Sequence, residues 1–288
     1  WEGQEFTDRE VYLNIRREYR QLAEEQNIFG MHVHVGVPEE VDRARLMNVA
    51  RLYLPHLLAL SASSPFYLGR DTGYASFRAI LWRRWPRAGA PPRFESQAEL
   101  DELIRWLTET RCIDAPGRLY WELRPHHRYP TLEFRVCDVT PRLEDAVATA
   151  ALARAVVVGA AEGVLRDPGL PDSLVGSLLR ENAWRASRDG VGALLVDVAS
   201  GVPREVSARD ALRGLAESLA LVLERLEDGE ITASLEELLE RGEAASRMRA
   251  QAERAGGELT GVVRWLAEET VLGTGMDRRT EQREGSAG

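Results

Sequence analysis

The sequence predicts an α+β fold: a largely antiparallel sheet covered by helices, followed by a helical C-terminal half. Three observations carry that expectation. In Gly30-Met31-His32-Val33-His34-Val35-Gly36-Val37 two imidazoles alternate with apolar residues, and in Thr131 to Asp138 the apolar Leu132, Phe134 and Val136 alternate with Thr131, Glu133, Arg135 and Cys137. Side chains at i and i+2 of a strand share one face, so each segment carries a polar stripe and an apolar stripe. From Leu143 onward, apolar residues recur at helical spacing almost throughout. Strands early and helices late are the pattern of helices packed on an antiparallel sheet.

The elements follow in order. Residues 8–26, with Tyr12, Ile15, Tyr19 and Leu22 at helical spacing, predict an amphipathic helix that leads into the histidine strand. Pro38 to Asp42 starts a second helix over about 41–61, striped by Leu46, Val49, Leu52, Leu57 and Leu60. Ser61 to Arg78 mixes small hydroxyl residues, glycines and spaced arginines, which predicts a loop at the mouth of a pocket. Arg83, Arg84 and Arg87 around Trp82, Trp85 and Pro86 read as a rim packed by indoles, and a helix follows over about 97–111. Tyr120 to Arg124 and Thr131 to Val139 form a strand pair. Adjacent His126 and His127 in its connection cannot face one way in an extended chain, so one of them lines the pocket and no two-histidine metal site is expected there. Leu143 to Leu165, rich in Ala and Val, is the buried central helix, and helices at 172–188, 206–226, 235–254 and 259–272 complete the run. One domain over 1–272 is expected, with a disordered polar, glycine-rich tail at 273–288.

Composition excludes several functions. A net charge of −9 argues against a nonspecific nucleic-acid binder. The most apolar run, Ala146 to Leu165, is interrupted by Arg154 and Glu162, so no bilayer span is expected. Two cysteines build neither a disulfide framework nor a zinc site, and a cytoplasmic location is the expectation. All 37 basic residues are arginine. Schiff-base chemistry and the lysine-dependent Walker phosphate loop are therefore excluded, and any bound phosphate must be held by arginine and by metal-bound carboxylates.

The two polar stripes are the candidate site. If both strands lie in one sheet, imidazole, carboxylate and guanidinium converge on one surface, as a site handling metal and phosphate requires. A sheet with one face in water would alternate in the same way. Two of only five histidines at i and i+2, opposite a Glu-x-Arg pair, weigh toward a site.

Gly30 to Gly36, the loop from Leu60 to Arg78, Thr131 to Val136 and Glu181-Asn182-Ala183-Trp184-Arg185-Ala186-Ser187-Arg188-Asp189-Gly190 together resemble the carboxylate-amine ligases related to type 2 glutamate-cysteine ligase. The resemblance runs from about Trp1 to Leu272. It implies a glutamine-synthetase-like fold and use of ATP with Mg²⁺ to phosphorylate a carboxylate, which an amine then converts to an amide. By resemblance, Glu133 and one of His32 and His34 are metal ligands, Arg135 contacts the phosphates, and Arg78 joins it in catalysis. Arg70 and Ser63 would bind substrate or ATP, with Asn182, Arg185 and Arg188 near the nucleotide. On spacing alone those helix positions are equally a surface charge cluster. Family members also carry an upstream glutamate cluster that supplies magnesium ligands, and nothing in residues 1–29 replaces it. The resemblance thus implies that leading strands come from a longer chain, from a partner or a symmetric oligomer, or have been lost; the alternative to a ligase is a noncatalytic nucleotide- or amino-acid-binding subunit that needs a separate chain carrying the missing glutamates.

Overall fold

In the computed structural model, which describes residues 5–28 and 30–272, both alternating segments form strands of one antiparallel sheet. The chain begins with α1 (Glu10–Tyr19) and α2 (Gln21–Glu24), then β1 (Val33–Gly36). The single expected helix over 8–26 is broken at Arg20, whose φ of 51° lies in the left-handed region that a continuing helix cannot use. Helices α3 (Arg43–Ala50) and α4 (Leu54–Ser61) replace the single helix expected over 41–61. A 3₁₀ turn separates them, and Pro55 in the first turn of α4 lacks the N–H that would continue the ladder. Asp42 caps α3 by accepting from the Arg45 N–H at 3.0 Å.

The predicted loop contains a small hairpin, β2 (Phe66–Tyr67) and β3 (Arg70–Asp71), and ends at α5 (Phe77–Trp82), capped by Ser76. Helix α6 (Gln97–Glu109), β4 (Leu123–Pro125) and β5 (Thr131–Phe134) follow, with sheet order β1-β5-β4. Its register places His34 opposite Glu133 and Arg124 opposite Glu133 from the other side. Val35, Leu123, Leu132 and Phe134 are buried in the main core with α3, α4 and the long α7 (Leu143–Ala161). Burial on nearly every side of α7 matches its Ala- and Val-rich composition.

After α8 (Asp172–Asp189) the chain departs from the all-helical expectation. A hairpin of β6 (Leu194–Asp197) and β7 (Arg204–Ser207) precedes α9 (Ala208–Ser218) and α10 (Ala220–Arg225). The helix expected over 235–254 is two helices, α11 (Ile231–Arg241) and α12 (Ala244–Arg254), parted at Gly242 with φ 81°. Helix α13 (Leu259–Val271) is last, and the expected tail at 273–288 lies outside the described residues. No described helix is long and apolar enough to cross a membrane.

Candidate active site

One face of the three-stranded sheet gathers charge from all three strands. Period-2 alternation puts His32 and His34 at β1, Glu133 and Arg135 at β5, and Glu122 and Arg124 at β4 on that face. His32 Nδ1 lies 3.2 Å from Glu133 Oε1. Potential ligand atoms of His32, His34 and Glu133 all lie within 4.8 Å of one another, with both histidines exposed and Glu133 buried. The three residues expected to ligate metal are therefore brought together.

Glu133, 2% exposed, is the electrostatic centre. Arg124 Nε donates to its Oε2 at 2.9 Å, and Arg135 Nη1 to its Oε1 at 2.5 Å. Burial alone would raise the carboxyl pKa, but the His32 hydrogen bond and the charges of Arg135 and Arg124 outweigh it and hold the group well below the usual carboxylate range. Arg124 is further fixed by donating to the Gly117 and Leu119 carbonyls. The Arg135 guanidinium lies 5.4 Å from the centre of the Trp82 ring, so the indole closes one side of the cluster. Of the adjacent histidines, His126 is the one at the site, with its ring 5.4 Å from that of His34. Its Nδ1 accepts from the backbone N–H groups of Arg128 and Tyr129, which leaves Nε2 as the protonated nitrogen of the neutral ring, a donor rather than a ligand.

A cavity of about 440 Å³ opens beside the cluster, lined by Ser63, Tyr67, Phe77, Arg78, Asp138 and Leu266 among others. Arg78 joins the two regions. Its Nη2 donates to the Arg135 carbonyl at 2.8 Å and its Nη1 to the Val136 carbonyl at 3.1 Å, while Nη1 stands 3.5 Å from Asp138 Oδ1. Gly30 is required by this arrangement, because a Cβ there would lie 2.3 Å from Arg78 Nη2. Ser63 sits in the cavity wall, where its N–H donates to Asp138 and its hydroxyl to the Val139 carbonyl.

A family model described as glutamate-cysteine ligase family 2 matches residues 1–267. The chain belongs to that family. Two relatives, both named "Putative glutamate--cysteine ligase 2", illustrate the likeness. The protein of Herpetosiphon aurantiacus is 36% identical over 281 residues, covering 98% of this chain and 72% of the relative. That of Roseiflexus sp. strain RS-1 is 41% identical over 273 residues, covering 95% and 71%.

Within this member of glutamate-cysteine ligase family 2, the α8 residues do not join the cluster. Asn182, 1% exposed, donates from Nδ2 to the Val196 carbonyl and accepts the Val196 N–H through Oδ1, both at 2.7 Å. In this structure the amide pins β6 to α8. Replacing Asn182 by alanine leaves two part-buried backbone groups without their partner and is expected to cost about 1–3 kcal/mol. Thermal unfolding checks the loss, with nucleotide affinity unchanged; weakened nucleotide binding at unchanged stability would return Asn182 to the site. Arg185 likewise bonds Glu181 at 2.8 Å and the Leu194 carbonyl at 3.1 Å, and faces the hairpin. Arg188 pairs with Asp189 and lies 4.3 Å from the Trp184 ring centre. None of the three lines the 440 Å³ cavity. Arg70 is exposed on β3, with no side-chain bond to a described residue, one position from Asp71, which Arg249 ties to α12.

At the site, the buried carboxylates Glu122 and Asp138 lie outside the set the sequence predicts. Glu122 takes two hydrogen bonds from Arg83, and the alternation of Glu122 with Arg124 was the available signal. Asp138 accepts from the Ser63 N–H, the Ser64 hydroxyl and the Ser76 hydroxyl. Three serines and an arginine in the Ser61–Arg78 loop signal a buried anion only once the end of β5 is known to meet that loop.

Proposed function

We propose that this chain joins a carboxylate to an amine at the expense of ATP, as a glutamate-cysteine ligase-like enzyme. The observation that supports it best is the convergence of Glu133, His32, His34, Arg124 and Arg135 on one sheet face, in a member of this family. A carboxylate is a poor acyl donor, so its oxygen first takes the γ-phosphoryl group of ATP and ADP departs. The amine lone pair then attacks the acyl carbon, phosphate leaves with the electron pair of the broken C–O bond, and the nitrogen loses a proton to give the amide. Both steps move anionic charge, which arginine can neutralise by paired N–H donation. In a chain without lysine, Arg135 is the proposed phosphate contact and Arg78 positions it through its backbone carbonyl. Ser63 and Arg70, at the cavity wall and the β2–β3 hairpin, are the proposed substrate contacts.

The donor set fits Mg²⁺ in part. Mg²⁺ prefers octahedral oxygen ligation through one or two carboxylates plus phosphates and water. The cluster offers one ionised carboxylate, already bonded by two arginines, and two accessible imidazoles. Mg²⁺ would be held by Glu133 with His32 or His34 and by nucleotide phosphate oxygens, and would supply charge neutralisation on the transferred phosphoryl group. A homo-oligomer contact or a partner chain that brings further carboxylates to this face belongs to the same proposal. Glutamate and an amine such as cysteine are the proposed substrates. We place the reaction in the cytoplasm, in keeping with two free cysteines.

The test is ADP release from ATP with glutamate and a pool of amino acids and amines. His32→Ala and His34→Ala, both on the exposed side of the cluster, are expected to fold normally. At least one should reduce amine-dependent ADP release by about 10- to 100-fold, the range measured when groups around a metal site are removed. Wild-type protein that releases no ADP with any amine, in the presence of Mg²⁺, would show that this chain is not an autonomous ligase, and no release after a chain carrying further carboxylates is supplied would sink the ligase reading.

A further inference from the structure

A second cavity, of about 360 Å³, lies where the N-terminus of α7 meets α11, α12 and α13, and its wall includes Arg142, Arg241, Arg247, Arg254 and Trp265. Two carboxylates organise the arginines. Asp145, buried in the first turn of α7, accepts from Arg241 Nη2 at 2.9 Å and from Arg247 Nη2 at 2.6 Å. Glu269 of α13 accepts from Arg142 Nε at 2.6 Å and Arg247 Nη1 at 3.0 Å. Four guanidiniums gather around these two buried carboxylates, with Glu144 of the same helix turn also acting on Arg142, in a chain whose net charge is −9.

The donors also outnumber the acceptors. Arg241 Nη1 and Arg247 Nε are buried with no hydrogen-bond partner, and Arg254 forms no ion pair with a described residue. Buried donors without acceptors are costly and rare in folded proteins, and arginine is the side chain suited to paired donation toward oxyanions. Arg142, the residue before α7, makes no side-chain capping bond, so the unpaired first-turn N–H groups of a 19-residue helix add positive potential at the same place.

We propose that this cavity is an oxyanion-binding site for a dianion of the phosphate class, with Arg142, Arg241, Arg247 and Arg254 as its cationic wall. The unpartnered Arg241 and Arg247 donors, together with the Arg254 guanidinium, suit the several oxygens of a phosphate better than the two of a single carboxylate. The site is separate from the metal cluster, and its wall shares α12 and α13 with the 440 Å³ cavity: Trp265 and Glu269 face the arginines, whereas Leu266 and Thr270 line the other side. Free phosphate and the terminal phosphate of a nucleotide present the same chemistry here.

Isothermal titration with inorganic phosphate at fixed ionic strength tests the assignment. Arg254→Gln removes a guanidinium that holds nothing else, and Ala250→Glu places a carboxylate in the cavity from a half-buried position on α12. Parent protein is expected to bind phosphate saturably. Affinity should fall about tenfold in Arg254→Gln, the equivalent of one charge-assisted hydrogen bond, and Ala250→Glu should lose one site, with both variants unfolding at the parent temperature in phosphate-free buffer. Repeating the titration with ADP separates the sources: a site lost for ADP as well as for phosphate assigns a nucleotide, and one lost for phosphate alone assigns the free anion. No saturable phosphate binding in the parent, or the same stoichiometry and affinity in both variants, would overturn the proposal.

Discussion

Alanine at position 133 is expected to abolish ADP release and to lower stability by about 3–5 kcal/mol, the usual consequence of breaking a buried ion pair from one side. The stability loss comes from what is left behind. Arg124 is buried and Arg135 largely so, and the charge of Arg135 is already disfavoured by desolvation and by Arg124, with Glu133 as its compensating neighbour. Glu133→Gln keeps the shape and one acceptor oxygen but not the charge, so its stability should fall between the two. Both variants should lose activity, because neither presents an ionised oxygen to a cation or holds Arg135 in place. The same pair predicts the acid response. The Glu133 carboxyl titrates lower in the folded chain than in the unfolded one, so its stabilisation is present above the ordinary carboxylate range and is lost as pH falls below it. Urea midpoints at pH 7 and pH 4 check this: the gap between wild type and Glu133→Gln should narrow at the lower pH. An equal gap at both would mean that Glu133 is not held ionised by its neighbours.

How much of this was legible in the sequence depends on the range over which each feature is determined. Side-chain alternation is local, so the polar faces of β1 and β5, with His32, His34, Glu133 and Arg135, follow directly from residue order. Register is not local. That His34 sits opposite Glu133 depends on a long-range strand pairing that no property of either segment fixes. The breaks at Arg20 and Gly242 were hidden because the apolar stripe continues on both sides, and a period count does not see one residue in the left-handed region. The β6–β7 hairpin was hidden for another reason. Four-residue strands are too short to establish a period, although Gly201 and Pro203 between them marked a turn. Asn182 and Arg185 bond that hairpin, which occupies the face of α8 the helix spacing had left open.

Asp138→Ala should rival the Glu133 change, through a different part of the molecule. Asp138 is 1% exposed and accepts from the Ser63 N–H at 3.0 Å, the Ser64 hydroxyl at 2.7 Å and the Ser76 hydroxyl at 2.9 Å. Its loss leaves those donors and the neighbouring Arg78 without their common acceptor, and about 3–5 kcal/mol is the expected cost. The effect reaches the site by contact. Ser76 caps α5, Ser64 Oγ accepts the Arg78 N–H at 3.1 Å, and Arg78 in turn holds the Arg135 carbonyl beside Glu133. Asparagine keeps one acceptor for Ser63 and Ser64 but turns an N–H toward Arg78, so Asp138→Asn should be intermediate in stability. If the serine-lined loop forms the substrate wall, the residual activity of Asp138→Asn should show a raised KM with a smaller change in kcat, since the loop, and not the reacting charge, has moved. Ser76→Ala, which removes one of the three donors, should cost about 1 kcal/mol. A double-mutant cycle between positions 76 and 138 should give a clear coupling energy, and strict additivity would show that Asp138 acts without that hydroxyl.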